Sequence, residues 1–389
     1  KKMKKNIYID YKITNTSMYL GNSFPPLIYK YLSKKKDINV YSLADKKIPY
    51  LDCIIIINGG SHWTYRDLNL KNIHKNQIIK WLFPKIKKIL LFFGHLIRLS
   101  KIGFFRHYLY SNKSYEKHLR NLIKKNPKAK IIHRLDGIYQ MIGKVYGYDY
   151  TIENINKISD LTIYQSYYSM ESWERGVKTI FGKSVTLSPN NSRIIANGVD
   201  LSLFNKSKSN DKFTVKWPIL NVSASPAPKK GLYRILELAE CLKNNEDFHF
   251  YLIGKQIQDP ICGEEIKNYK NITYLGEISD RNELSNYYKS SKIFIFPSEE
   301  DCSPNVILEA MACGLPILTV KSGGIPELIN LKDKKAGLYL DEENPVMALN
   351  TLIKFHDRLS KNALEIIKDK FDFQITGKNY LDEIYKLTN

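Results

Sequence analysis

At 389 residues, with 43% apolar and 25% charged side chains, the chain exceeds one ordinary core and suits two domains of about 150 to 200 residues each. Five cysteines (Cys53, Cys241, Cys262, Cys302, Cys313) show no CxxC pair and no ligand spacing, which excludes a zinc ribbon and a disulfide framework and suits a reducing cytosol. The net charge of +21 is concentrated: Lys71 to Lys130 holds sixteen Lys and Arg against the single acid Glu116.

Ile7 to Asp10 reads as a first strand. The loop after it contains Gly21, whose missing Cβ permits close approach of a ligand or simply a turn, and a helical run follows from Leu27 to Ser33. Val40 to Leu43 and Cys53 to Ile57 are further strands, the second ending in Asn58-Gly59-Gly60, a loop of the kind found at the carboxyl edge of a doubly wound sheet. Residues 78–110 interleave large apolar side chains with Lys85, Lys87, Lys88, Arg98, Lys101 and Arg106. That pattern predicts an interfacial helix pair on an anionic membrane surface. A solvated amphipathic excursion is the alternative, and nucleic acid is disfavoured because no RNA- or DNA-binding module accompanies the charge. No apolar run approaches the roughly 18 residues needed to cross a bilayer, and KKMKKNIYID lacks the apolar core of a secretion signal. The expected location is therefore cytoplasmic, peripheral on the membrane face.

Lys128 to His133 resumes the sheet and is expected to deliver His133, Arg134 and Asp136 into a loop. A lone His at a strand end is more often structural than catalytic. A helix is expected from Asn154, a buried strand at Leu161 to Tyr164 with Gln165-Ser166 at its end, and a strand at Ser192 to Ala196. The last of these runs into Asn197-Gly198-Val199-Asp200, with Phe204 beyond. Asn205 to Lys212 reads as a linker.

The second half opens with a strand at Ile219 to Val222 and the loop SASPAPKKG, which carries Ser225, Lys229 and Lys230. A helix follows from Leu232 to Leu242. Cations at a helix start oppose its dipole and so favour an anionic ligand, against the alternative of two solvated lysines. The strand Phe248 to Ile253 ends in Gly254, and Ile272 to Leu275 leads to Gly276-Glu277-Ile278. The stretch Phe296 to Val320 then reads as strand end, acidic loop (Glu299, Glu300, Asp301), helix and strand. Ser303 is the expected cap, Pro304 the first helical residue and Gly314 the stop. Asp301 and Glu309 lie eight positions apart and flank the amides near Pro304, Asn305 and Val306. A ligand with both phosphates and hydroxyls, such as a sugar nucleotide, fits that arrangement. An acidic loop followed by a helix with one buried, paired Glu309 fits it equally. A last helix is expected around Tyr380 to Leu387.

Strand and helix signals alternate throughout, which predicts an α/β protein with parallel sheets. The Asp301–Pro316 stretch closely resembles the signature of family 4 retaining glycosyltransferases of the GT-B fold: two acids separated by seven residues, then Ala-Met-Ala and Gly-x-Pro. Here the first acid is an Asp, and CSPN stands where many members have Gly-Phe-Gly. NGVD with Phe204, Lys230 before Gly231, and Ser322 to Glu327 (SGGIPE) match further, while Ser225 stands where the family has an Arg. The resemblance implies two Rossmann-like doubly wound domains facing across a cleft: residues 1–205 on the acceptor side, residues 206–370 binding the nucleotide-sugar, and residues 371–389 returning as a helix to the first domain.

The resemblance also implies roles. Gly21, Ser225, Lys230, Gly254, Ile278, Pro304, Asn305, Val306 and Glu309 would hold the donor, and Asp301 the transferred sugar. His133, by residue type, or Asp136, by distance from the strand, would meet the reacting centre. The implied reaction is retaining transfer from a UDP- or GDP-sugar to a glycan or lipid-linked acceptor, with no metal and no cofactor. A sugar-nucleotide epimerase of the same architecture remains an alternative, as does an inactive basic protein that binds membrane or nucleic acid.

Overall fold

The computed structural model describes residues 4–11, 13, 23–57, 113–137, 148–178, 184–207, 212–223, 230–255, 266–299, 301–340, 342 and 344–389. Two six-stranded sheets form its frame, and every pairing within them is parallel. The first is built from β1 (Lys5–Ile9), β2 (Ile38–Ser42), β3 (Cys53–Ile57), β4 (Lys130–Leu135), β5 (Leu161–Tyr164) and β6 (Ser192–Ile194), in the order β2-β1-β3-β4-β5-β6. The second contains β7 (Trp217–Val222), β8 (Phe248–Ile253), β9 (Ile272–Gly276), β10 (Ile293–Phe296), β11 (Ile317–Thr319) and β12 (Gly337–Tyr339), in the order β9-β8-β7-β10-β11-β12. This is the expected α/β, GT-B arrangement.

Its cause is legible in the strands. β3 reads CIIII and β10 reads IFIF, and every residue of each is buried, as a strand covered on both faces requires. Each sheet starts at its interior: β1 and β7 are the first strands of their halves, and later strands are added on both sides. The order reverses between β1 and β3 in one sheet and between β7 and β10 in the other. Loops leaving the carboxyl ends of such neighbours diverge and leave a crevice between them.

Helices pack on these faces. In chain order they are α1 (Phe24–Ser33), α2 (Lys113–Lys125), α3 (Tyr148–Asn156), α4 (Tyr167–Arg175), α5 (Leu232–Cys241), α6 (Arg281–Ser290), α7 (Asn305–Ala312), α8 (Ile325–Ile329), α9 (Pro345–Lys354), α10 (His356–Ile366) and α11 (Phe373–Thr388). The chain leaves the first sheet near Val199 and returns near Phe373. The two crossings run side by side, Val199 N–H donating to Phe371 C=O at 2.8 Å and Phe373 N–H to Val199 C=O at 3.1 Å. α11 then buries Phe373, Tyr380 and Ile384 in the first sheet's core beside Phe24 of α1. Burying each such side chain is worth about 1.5–3 kcal/mol.

Several local expectations are corrected. α3 ends at Asn156 and lies mostly before Asn154, where it had been expected to begin. β4 extends to Leu135, so His133 and Arg134 lie within the strand, and only Asp136 and Gly137 begin the loop. α7 starts at Asn305, not at Pro304. Pro304 is the N-cap, in extended conformation, and no side chain caps the helix. Ser303 is buried, and its hydroxyl has no partner among the described residues. The proline ring, placed one position earlier than expected, leaves the first helical N–H groups of α7 to Asn305 and Val306.

Candidate functional site

The crevice of the second sheet lies between the loops that follow β7 and β10, and charged residues meet there. Lys230 comes from the first loop and Asp301 from the second, with Nζ 2.7 Å from Oδ2. Both are partly exposed, 30% and 24%, so the pair faces a space that solvent or a ligand can enter. Gly231 brings Lys230 close: its φ is +74°, and a Cβ there would lie 2.0 Å from the Pro297 carbonyl at the end of β10. Only glycine meets both demands. The turn Gly323-Gly324 packs in the same way under the acidic loop, Gly324 N–H donating to Asp301 C=O at 2.9 Å.

Beside this pair stands the uncapped N-terminus of α7, with Asn305 and Val306 half-buried and Pro304 buried. Its unpaired N–H groups and dipole favour an anion. Glu309, one turn on, is 3% exposed. Its Oε1 accepts from Arg281 Nη2 at 2.5 Å and its Oε2 from the Tyr288 hydroxyl at 2.9 Å. Burial pushes its carboxyl above the ordinary glutamate range, while Arg281 and the Tyr288 hydrogen bond pull the other way. This is the buried, paired glutamate that the spacing also allowed.

The two partners of Glu309 were not singled out in the sequence, although a signal was present. Asp280 caps α6 by accepting from Asn282 N–H and Glu283 N–H, and an Asp followed three residues later by Glu marks a helix start. From that start Arg281 and Tyr288 lie seven residues, or two turns, apart. They therefore share one face of α6.

Gly254 lies buried at the end of β8, its N–H donating to Gly276 C=O at 2.9 Å and its C=O accepting from the Tyr274 hydroxyl at 2.9 Å. Ile278 is half-buried in the loop between β9 and α6 and packs against the hydrophobic core on one face of the second sheet. Gly21, Ser225, Lys229 and the segment 78–110 lie outside the described residues.

On the first sheet His133 and Asp136 have opposite surroundings. His133 is fully buried, neither ring nitrogen has a partner among the described residues, and burial lowers its pKa to about 3. It is a neutral imidazole at neutral pH. Asp136 sits at the strand's carboxyl end with its side chain 45% exposed, and it accepts from Arg134 Nη1 at 2.6 Å and from the Gln165 side-chain amide.

Among the described residues the two halves touch at several places near these side chains. Arg134 Nη2 donates to Asn197 Oδ1 at 2.6 Å, and Asn197 Nδ2 faces Asn305 Oδ1 at 3.0 Å. Gly137 packs on Cys302. Glu327, in α8, accepts from the N–H groups of Tyr167 at 2.9 Å and Tyr168 at 2.7 Å, which are the first two residues of α4. Among the described residues no group of three or more His, Cys, Asp or Glu could hold a metal, and no helix is long and apolar enough to cross a membrane.

Comparison with known proteins agrees with this geometry. Residues 218–358 match the family model described as Glycosyl transferases group 1. The chain is 34% identical over 112 residues to the sulfoquinovosyl transferase SQD2 of Arabidopsis thaliana, covering 27% of this chain and 22% of that one. It is 30% identical over 181 residues to the N,N'-diacetylbacillosaminyl-diphospho-undecaprenol alpha-1,3-N-acetylgalactosaminyltransferase of Campylobacter jejuni, covering 43% and 44%. Its matches thus span less than half the length of these curated relatives. A crystal structure of Anabaena HepE in complex with UDP and glucose superposes with a TM-score of 0.60 at 16% identity, over 98% of this chain and 100% of that one, and shares its fold. These matches bear out the glycosyltransferase resemblance read from the sequence.

Proposed function

We propose that the chain is a retaining glycosyltransferase that moves a sugar from a nucleotide-sugar donor to a glycan or lipid-linked acceptor. The observation that carries the reading is the meeting of Lys230, Asp301 and the uncapped α7 N-terminus at the point where the second sheet reverses its strand order. A diphosphate has two partners there. The Lys230 ammonium offers a point charge that strengthens its hold as the glycosidic bond breaks and negative charge grows, and the amides of Asn305 and Val306 offer fixed donors. Binding releases Asp301 from Lys230 to accept hydrogen bonds from sugar hydroxyls. Glu309 acts on the ribose side, held in place by Arg281 and Tyr288.

The acceptor lies against the first sheet, with Asp136 at the reacting centre and His133 as its buried support. Because Lys230 supplies the charge that a divalent ion would otherwise supply, the reaction proceeds without metal. UDP is the first nucleotide to try, since the HepE structure of the same fold holds it. The Campylobacter relative's name specifies a diphospho-undecaprenol acceptor, and the basic, aromatic composition of residues 78–110 suits an anionic membrane surface where such acceptors lie.

Nucleotide release from UDP-, GDP-, ADP- and CMP-sugars, measured in EDTA, tests the reading, with Lys230→Ala run beside the unaltered protein. Release from one donor, reduced at least about a hundredfold in the variant, is expected. If the unaltered protein releases nothing and binds none of the four nucleotides, the proposal fails.

A further inference from the structure

We infer that Asn197 is a positioning residue that sets the donor helix from the opposite domain; the inference rests on the reading of the α7 N-terminus as the diphosphate site. Asn197 belongs to the chain between β6 and β7 and is 5% exposed. Its Oδ1 accepts from Arg134 Nη2 at 2.6 Å. Its Nδ2 lies 2.7 Å from Gln165 Oε1, 3.0 Å from Asn305 Oδ1 and 3.3 Å from the Ser303 carbonyl. Two of those three acceptors are the residues on either side of Pro304, the N-cap of α7.

Arg134 gives this anchor its rigidity. Its guanidinium is 5% exposed, bonds Asp136 through Nη1 and lies 4.3 Å from the Phe24 ring centroid. A planar cation held on three sides keeps Asn197 Oδ1 in one place, so Nδ2 is aimed in one direction. The N-terminus of α7 has no side-chain cap of its own. Asn197 therefore fixes the segment whose N–H groups must point at the ligand, and it draws the Ser303 carbonyl onto itself. The chain connects an acceptor-side carboxylate, Asp136, to a donor-side helix through one buried amide.

The test is a double-mutant cycle on nucleotide affinity. Asn197→Ala removes the donating –NH2 without placing a charge against the oxygens of Gln165, Ser303 and Asn305, and the melting temperature reports whether the fold is kept. Asn305→Ala removes the residue through which Asn197 acts. UDP, GDP, ADP and CMP are titrated by calorimetry into the unaltered protein, the two single variants and the double variant, and melting temperatures are recorded for each. For whichever nucleotide binds, Asn197→Ala is expected to weaken affinity at least tenfold in protein that stays folded at the titration temperature. The double variant should be no weaker than the poorer single, because both changes act on one path. A melting temperature that drops while affinity holds would make Asn197 a purely structural contact and overturn the inference, as would losses that multiply. Binding of no nucleotide by the unaltered protein would remove the site reading and this inference with it.

Discussion

The carboxyl edges of the two sheets share a topology and differ in how their ionisable groups are matched. At the second sheet each described charge near the crevice has a partner of opposite sign: Lys230 with Asp301, Arg281 with Glu309. At the first sheet Arg134 and Asp136 are matched in the same way, but the fully buried His133 has no described partner and is held neutral by burial. A ligand that brings negative charge must exchange partners at the second edge, displacing Asp301 from Lys230. A neutral hydroxyl could approach the first edge without such an exchange. On the proposed function, the difference suits an anionic substrate at the second edge and an uncharged reacting group at the first.

The largest expected effect comes from breaking a match. Arg281→Met leaves the Glu309 carboxylate, 3% exposed, with only the Tyr288 hydroxyl. An uncompensated buried charge costs about 3–5 kcal/mol. Urea denaturation should show that loss in the single variant and recover most of it in Arg281→Met/Glu309→Met, where neither charge remains. If the single variant loses under about 1 kcal/mol, the pair is far better solvated than its burial indicates.

His133 sharpens the comparison through pH. Its folded pKa of about 3 lies below the ordinary value of 6.5, so the native state binds fewer protons than the unfolded state between those limits. Stability from this group is complete above pH 6.5 and is lost as pH falls towards 3, at about 1.4 kcal/mol per pH unit. In His133→Gln, which cannot titrate, the fall between pH 6 and 4 should be shallower by about 2–3 kcal/mol in chemical denaturation. Parallel curves for the two proteins would mean that His133 has the same pKa folded and unfolded, so that burial does not hold it neutral.

Much of the fold was legible because a parallel strand buried on both faces is a short apolar run ended by a turn residue, as in Cys53 to Ile57 and Ile293 to Phe296. The site was legible where chemistry and chain proximity coincide. Asp301, Pro304, Asn305 and Glu309 lie on one loop and one helix. The helix start at Asp280 places Arg281 and Tyr288 on one face of α6, but nothing local marks an arginine as the partner of a glutamate 28 residues away, a role that exists only once α6 packs beside α7. In the sequence Asn197 stands out only as the first residue of the NGVD run after β6. Its contacts with Arg134 and Asn305 span 63 and 108 residues of sequence and have no periodic signature.

The smallest effect concerns the rim between the halves. α4 has its first two N–H groups satisfied by the Glu327 carboxylate and its third by the Ser166 hydroxyl at 3.0 Å. A glutamate of the second half thus completes the cap of a first-half helix, and its charge also complements the helix dipole. Glu327→Gln keeps one acceptor oxygen but loses the charge and the second bond, at a cost of about 0.5–1 kcal/mol. Salt separates the two contributions: the charge component is screened, so the difference between variant and unaltered protein should shrink in 1 M NaCl, while the lost hydrogen bond persists. A difference that ignores salt would assign the contact to hydrogen bonding alone. The rim would then resemble the Asn197 contact, an exchange of amide hydrogen bonds, and the ionic matching would belong to the crevice of the second sheet.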